Sequence, residues 1–189
     1  MKKIGFIGLG NMGTEMAINL SKAGYNVTGY DINQKLIDKL KPFGIKKALD
    51  LKIIAEDNDI IITMLPNGKI VEQIYDSIIN ICNKNTLLVD CSTIDVNTAK
   101  SLHEKTSKLN ISCLDAPVSG GTIGAKNATL TFMVGGEKDA YENMRPLFEA
   151  MGSKSVLCGS AGSGQGIKMC NNLLLAITMR GVSESFNLA

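Results

Sequence analysis

The hexapeptide GLGNMG at positions 8–13 follows an apolar run at 4–7 and opens a stretch with helical periodicity at 12–23. A glycine turn between a strand and a helix constrains the fold more than any other segment of this chain. It marks the first crossover of a parallel βαβ unit. Gly8 permits the tight turn, Gly10 lets the backbone approach a bound group, and Gly13 lets helix and strand pack closely. The amides of Asn11 and Met12 then open a helix, where the partial positive charge favours a phosphate. Gly8, Leu9, Gly10, Asn11, Met12 and Gly13 are the expected cradle of a pyrophosphate.

Beyond this turn, strand-like and helix-like segments alternate. Strands are expected at 4–7, 26–30, 59–64, 86–90, 112–116, 130–134 and 154–157, and helices at 12–23, 33–40, 68–81, 95–109 and 140–151. Asp95 is placed to cap its helix. Such alternation predicts an α/β chain of Rossmann type, doubly wound around a mostly parallel sheet. A long C-terminal helix follows, dividing the chain into a nucleotide-binding domain at 1–162 and an interdomain helix at 163–189. Ile167, Met169, Leu173, Leu174, Leu175, Ile177, Met179, Val182, Phe186 and Leu188 cover nearly its whole circumference. A helix apolar all round is expected to be buried. No glycine or proline stop signal closes it, so a further domain, a second copy of the chain, or both are expected to cover it.

Asp31 ends the second strand 18 residues after Gly13. A carboxylate there accepts bonds from a ribose 2′-hydroxyl and repels a 2′-phosphate. Ile32 and Asn33 stand where a basic residue for that phosphate is expected, so NAD is preferred and NADP is the less favoured cofactor. Lys and Arg number 20 against 18 Asp and Glu, and Trp is absent. That balance gives no broad cationic field or stacking platform for nucleic acid. No apolar stretch is as long as the roughly 20 residues a membrane helix needs. Five cysteines without a CxxC spacing predict reduced thiols in a cytoplasmic setting and no metal site.

Further motifs follow in order: MLPN from Met64, DCST from Asp90, DAPVSGGTIGA from Asp115, and GxGxxxKxxxN at Gly162, Gly164, Lys168 and Asn172. Together with IGFIGLGNMG they resemble the β-hydroxyacid dehydrogenase family over essentially the whole chain. The resemblance implies hydride transfer between NAD and a small β-hydroxyacid, of the 3-hydroxyisobutyrate kind, or its semialdehyde. It implies that Met64, Leu65, Pro66 and Thr93 line the cofactor path. Ser119, Gly120 and Gly121 are implied to hold the substrate carboxylate, with Lys168 as proton carrier and Asn172 orienting the substrate.

The residues themselves agree with this assignment. Small residues at 119–121 let main-chain amides converge on an anion. Asn171 and Asn172 lie three and four positions after Lys168, on its helical face. A neutral Lys168 accepts the hydroxyl proton in oxidation, and its ammonium returns one in reduction, which requires a lowered pKa. The single histidine, His103, lies in SLHEKTSK and reads as part of a solvated helix face. Cys91 and Cys170 read as small core residues.

Two departures accompany the resemblance. Ala128 stands where the family has glycine, and is strained if that site requires positive φ. The family also continues into an all-helical domain that closes the site and builds a dimer. The chain therefore reads as cut short before that domain. Its alternative reading is a catalytically idle NAD-binding or dimerisation fragment.

Overall fold

The computed structural model describes residues 2–189. Strands β1 (Lys3–Ile7), β2 (Asn26–Tyr30), β3 (Lys46–Lys47), β4 (Ile60–Thr63), β5 (Leu87–Asp90) and β6 (Ser112–Asp115) run parallel in the order β3-β2-β1-β4-β5-β6. This is the 3-2-1-4-5-6 order of a dinucleotide fold. Beyond β6 the pattern changes. β8 (Leu130–Gly136) is antiparallel to both β6 and β7 (Val118–Ser119), and β9 (Gly152–Gly159) runs parallel to β8. The expected mostly parallel, doubly wound sheet is the one observed.

Helices α1 (Asn11–Lys22), α2 (Gln34–Asp38), α3 (Leu51–Asp57), α4 (Gly68–Ile78), α5 (Val96–Ser107), α6 (Gly121–Lys126), α7 (Lys138–Met151) and α8 (Ser163–Leu188) complete the chain. The two faces of the sheet carry two cores. Ile60 and Ile62 of β4 join Phe6, Met16, Leu20 and Phe148 on one side. Ile61 joins Ile54, Val71, Tyr75 and Leu102 on the other. A strand covered on both faces has no polar side, which is why β4 reads IIIT without alternation.

Five elements were not expected: the 3₁₀ turn at Lys41–Phe43, β3, α3, β7 and α6. All are short, and propensity carries little information over a few residues. The start of α3 did have a signal, because Asp50 accepts the Ile53 amide at 2.9 Å as its N-cap. Asp95 caps α5 as expected, accepting from Thr98 N. The end of α6 explains the oddity at Ala128, which has φ 53°. Ala128 N donates to Ala125 O and Thr129 N to Gly124 O, the paired bonds of a Schellman motif. Its left-handed position is one that glycine occupies freely, and alanine there costs about 1 kcal/mol.

The C-terminal helix finds no cover within this chain. Within this chain α8 is not buried: only Gly164 and Gln165 are, whereas Ile167, Leu174, Phe186 and Leu188 are 48–89% exposed. At 1.5 Å per residue, a helix of this length runs about 39 Å. Only its first turns touch the sheet, against β6, β8 and β9.

Candidate functional site

The glycine turn performs three separate jobs. Gly8 has φ 92°, and a Cβ on it would sit 2.3 Å from the Met64 carbonyl. A Cβ on Gly13 would sit 1.9 Å from the Gly8 carbonyl, so α1 reaches this closeness to β1 only with glycine. A Cβ on Gly10 would meet nothing within 4 Å. The space in front of Gly10 is open, and no side chain caps α1, so its first amides face outward unpaired. Those features fit a pyrophosphate.

The turn forms one wall of a cleft of about 430 Å³. Gly8, Gly10, Asn11, Met12, Gly13, Asp31, Met64, Leu65 and Pro66 all line it, as expected for a cofactor path. Leu9 and Thr93 do not. Leu9 is buried beneath the turn, and its amide donates to Asp31 Oδ2 at 2.7 Å. A second backbone amide, that of Asn33, donates to Asp31 Oδ1 at 2.7 Å. The carboxylate is thus aimed by the turn itself, and its remaining lone pairs are free to accept hydroxyl donors. Tyr30, Ile70 and Ile74 also line the cleft and were not singled out from sequence. Ile70 and Ile74 are one helical repeat apart, so their shared face was a readable signal.

The DCST loop is built around a buried carboxylate. Asp90 Oδ1 accepts from Thr63 Oγ1 at 2.7 Å, from Ser92 Oγ at 2.6 Å and from Ser92 N at 3.2 Å. Its Oδ2 and the Tyr75 hydroxyl are buried without partners among the described residues. Burial pushes the Asp90 carboxyl up to about 6, against the bonds from Ser92 and Thr63 that pull it down. Because the folded state holds this proton more tightly than the unfolded chain, the group's contribution to stability is fully present below pH 3.8 and lost as pH rises through about 6. Asp90→Asn keeps the oxygen that accepts from Thr63 and Ser92 and removes the charge. The variant is expected to be more stable than the parent at pH 7, by up to about 3 kcal/mol. At pH 4 the advantage vanishes. Urea unfolding of both proteins at the two pH values measures this.

The DAPVSGG segment splits into two parts with different tasks. Gly120 (φ 129°) and Gly121 (φ 62°) turn the chain into α6, whose first amides lack a side-chain cap. Ser119 ends β7 beside Thr131. Asp115, at the other end of the segment, faces α8. Its Oδ1 accepts from Gly162 N at 2.8 Å and its Oδ2 from Gln165 N at 3.0 Å. His103 Nε2 lies 3.1 Å from Oδ1. The reading of His103 as a solvated surface residue is therefore corrected: its ring is 14% exposed and bonded to the carboxylate of a motif. The sequence separation hid this, because α5 returns alongside β6.

On α8, Gln165 joins helix and loop. Its Nε2 donates to Ser92 O at 2.8 Å and its Oε1 accepts from Ile94 N at 3.1 Å. Those bonds bracket Thr93. Lys168 lies three residues further, on the same helical face and about 4.5 Å along the axis. It is half-buried, and desolvation holds its ammonium below the usual lysine range. Asn171 is half-buried and Asn172 exposed. Their amides bond to each other, Asn171 Nδ2 donating to Asn172 Oδ1 at 3.3 Å, rather than to the 119–121 turn. Cys91 is in the core as expected, whereas Cys170 is exposed on α8, on the uncovered stretch.

Comparison with known proteins agrees with this geometry. The chain is 47% identical over its whole length to the mitochondrial 3-hydroxyisobutyrate dehydrogenase of Drosophila melanogaster, covering 58% of that protein. It is 44% identical to an NAD-dependent L-serine dehydrogenase of Pseudomonas aeruginosa, covering 64% of it. A Mycobacterium tuberculosis 3-hydroxyisobutyrate dehydrogenase solved with L-serine superposes with a TM-score of 0.96 at 40% identity, over all of this chain and 65% of that one. The chain thus spans about three-fifths of the length of these relatives. Residues 3–159 match the NAD binding domain of 6-phosphogluconate dehydrogenase. With residues 3–159 matched to it, the chain belongs to the family of the 6-phosphogluconate dehydrogenase NAD-binding domain.

Proposed function

We propose that this chain supplies the cofactor half and the proton carrier of an NAD-dependent dehydrogenase acting on a small β-hydroxyacid of the 3-hydroxyisobutyrate kind, or on its semialdehyde. One observation carries the reading: a desolvated lysine is anchored one helical turn from the loop holding Thr93. NAD held by the glycine turn and Asp31 would supply the hydride acceptor, or donor in reverse, for the carbon bearing the hydroxyl. Lys168 exchanges the hydroxyl proton, with burial favouring its neutral form near working pH. Asn172, with Asn171 beside it, offers an amide donor and acceptor to the substrate. The amides following Ser119, at Gly120 and Gly121, receive its carboxylate. Thr93 borders the nicotinamide end of the path, and residues 1–162 act as the nucleotide-binding domain with 163–189 as the interdomain helix.

Asp31 supports NAD over NADP, since the next position is the exposed, uncharged Ile32. Calorimetric titration of the chain is expected to give tighter binding of NAD⁺ than of NADP⁺. Asp31→Asn is expected to narrow that preference by about tenfold, the scale of one charge-assisted hydrogen bond. A ratio unchanged by the substitution removes Asp31 from the ribose site. The free cysteines support a reducing compartment such as the cytoplasm. No helix among the described residues is long and apolar enough to cross a membrane.

The uncovered apolar surface of α8 favours a second reading, an idle NAD-binding module that associates through this helix. A homo-oligomer assembled through α8 serves either reading. NAD⁺ binding without turnover on β-hydroxyacids supports the idle module.

A further inference from the structure

The buried polar side chains Thr63, Asp90, Ser92, Gln165 and Asp115 form one connected path of hydrogen bonds. At one end Ser92 Oγ accepts from the amide of Leu65, which lines the cofactor cleft. Ser92 is also held by Asp90, and its carbonyl accepts from Gln165. Gln165 in turn donates its own amide to Asp115. The path crosses from the cofactor cleft to the helix bearing Lys168 without an exposed member.

Gln165 is the joint of this path. It is 1% exposed, yet both ends of its side chain are used, one as donor and one as acceptor. Only a primary amide of this length meets a carbonyl and an amide flanking one residue in this way; a carboxylate lacks the donor, and methionine has no donor and only a weak acceptor. A purely apolar seam would cost less to bury. The amide instead fixes one geometry between loop and helix.

We propose that Gln165 is a positioning residue: by clamping the Ser92–Ile94 backbone to the first turns of α8, it holds Lys168 at a fixed place relative to Thr93 and the cofactor loop. The proposal rests on Lys168 being the proton carrier. Gln165 itself touches no reacting atom. Its effect is exerted through where the lysine sits and how much water reaches it.

The test is a titration of Lys168 by NMR in the 189-residue chain labelled with ¹³C-lysine, its resonance assigned from Lys168→Arg. In the parent the Lys168 midpoint is expected below the ordinary lysine value of about 10.4. In Gln165→Met, matched in length but without hydrogen bonds, the midpoint is expected to return toward that value as the turn loosens and water enters. A residue that merely fills the seam would lower stability and leave the midpoint in place. Should Gln165→Met fail to fold, Gln165→Asn keeps the amide one methylene short of its partners and is expected to shift the midpoint in the same direction. An unmoved midpoint in a folded variant, or an ordinary midpoint already in the parent, overturns the proposal. NAD⁺ binding, followed on the same samples by calorimetry, is expected to change little. Failure of the parent to bind NAD⁺ overturns the functional reading and leaves the Gln165 result to be judged by the titration alone.

Discussion

Lys168→Ala, in a form of the protein that oxidises a β-hydroxyacid, is expected to lower kcat by about 10²–10⁴-fold, the range a positioned proton carrier supplies. NAD⁺ affinity is expected to stay unchanged, because Lys168 is not among the residues lining the dinucleotide cleft. The pH profile gives a second reading of the same residue. Oxidation needs the neutral amine, so kcat should rise with pH through the lysine's midpoint and level off above it. Burial moves that midpoint below the usual lysine range and brings the rise closer to neutrality. Reduction needs the ammonium, so its rate should fall over the same interval. Lys168→Arg keeps a charge that is not lost in proteins. It should therefore fail in oxidation across the whole range. Turnover retained by Lys168→Ala, or a rising limb that survives it, would remove Lys168 from the chemistry.

The fold was largely legible because its strongest signals are local. A glycine turn after an apolar strand, the run IIIT, and the Asp95 cap each act within a few residues of where they stand. Most residues lining the glycine-turn cleft were legible for the same reason, and Asp31 needed only the end of β2 to be located. What escaped the sequence is held together across it. Asp115 and Gln165 are 50 residues apart, and Gln165 and Ser92 73 apart. A polar residue whose partners are that distant looks like any surface glutamine or aspartate. His103 was misplaced although its partner is only twelve residues on, because that partner lies in another element, β6, that α5 packs against. The apolar circumference of α8 was read correctly as a surface needing cover. What supplies that cover was not legible, because periodicity reports what a helix requires and not what provides it.

Asp115→Ala is expected to destabilise the protein by about 3–5 kcal/mol, the scale for breaking a buried charge interaction. Gly162 is the N-cap of α8 and no side chain of the helix caps it. Asp115 does this work from β6, taking both the N-cap amide and that of Gln165. It acts on α8 as Asp50, Asn67 and Asp95 act on their own helices. The approach is so close that a Cβ on Gly164 would lie 2.8 Å from Asp115 Oδ2, and one on Gly135 2.5 Å from Oδ1. Removing the carboxylate leaves two buried amides unpaired, at about 1–3 kcal/mol each, and takes an anion from a helix N-terminus. Asp115→Asn retains one acceptor but turns an NH₂ toward the other amide, so its loss should be intermediate. His103→Ala deletes one donor and leaves both helix bonds intact, so it should cost least, about 1 kcal/mol. Urea midpoints in the order His103→Ala, Asp115→Asn, Asp115→Ala, from most to least stable, would establish the carboxylate as the cap of α8. Equal losses for His103→Ala and Asp115→Ala would mean that the His103 contact carries the stability, and that α8 starts without help from β6.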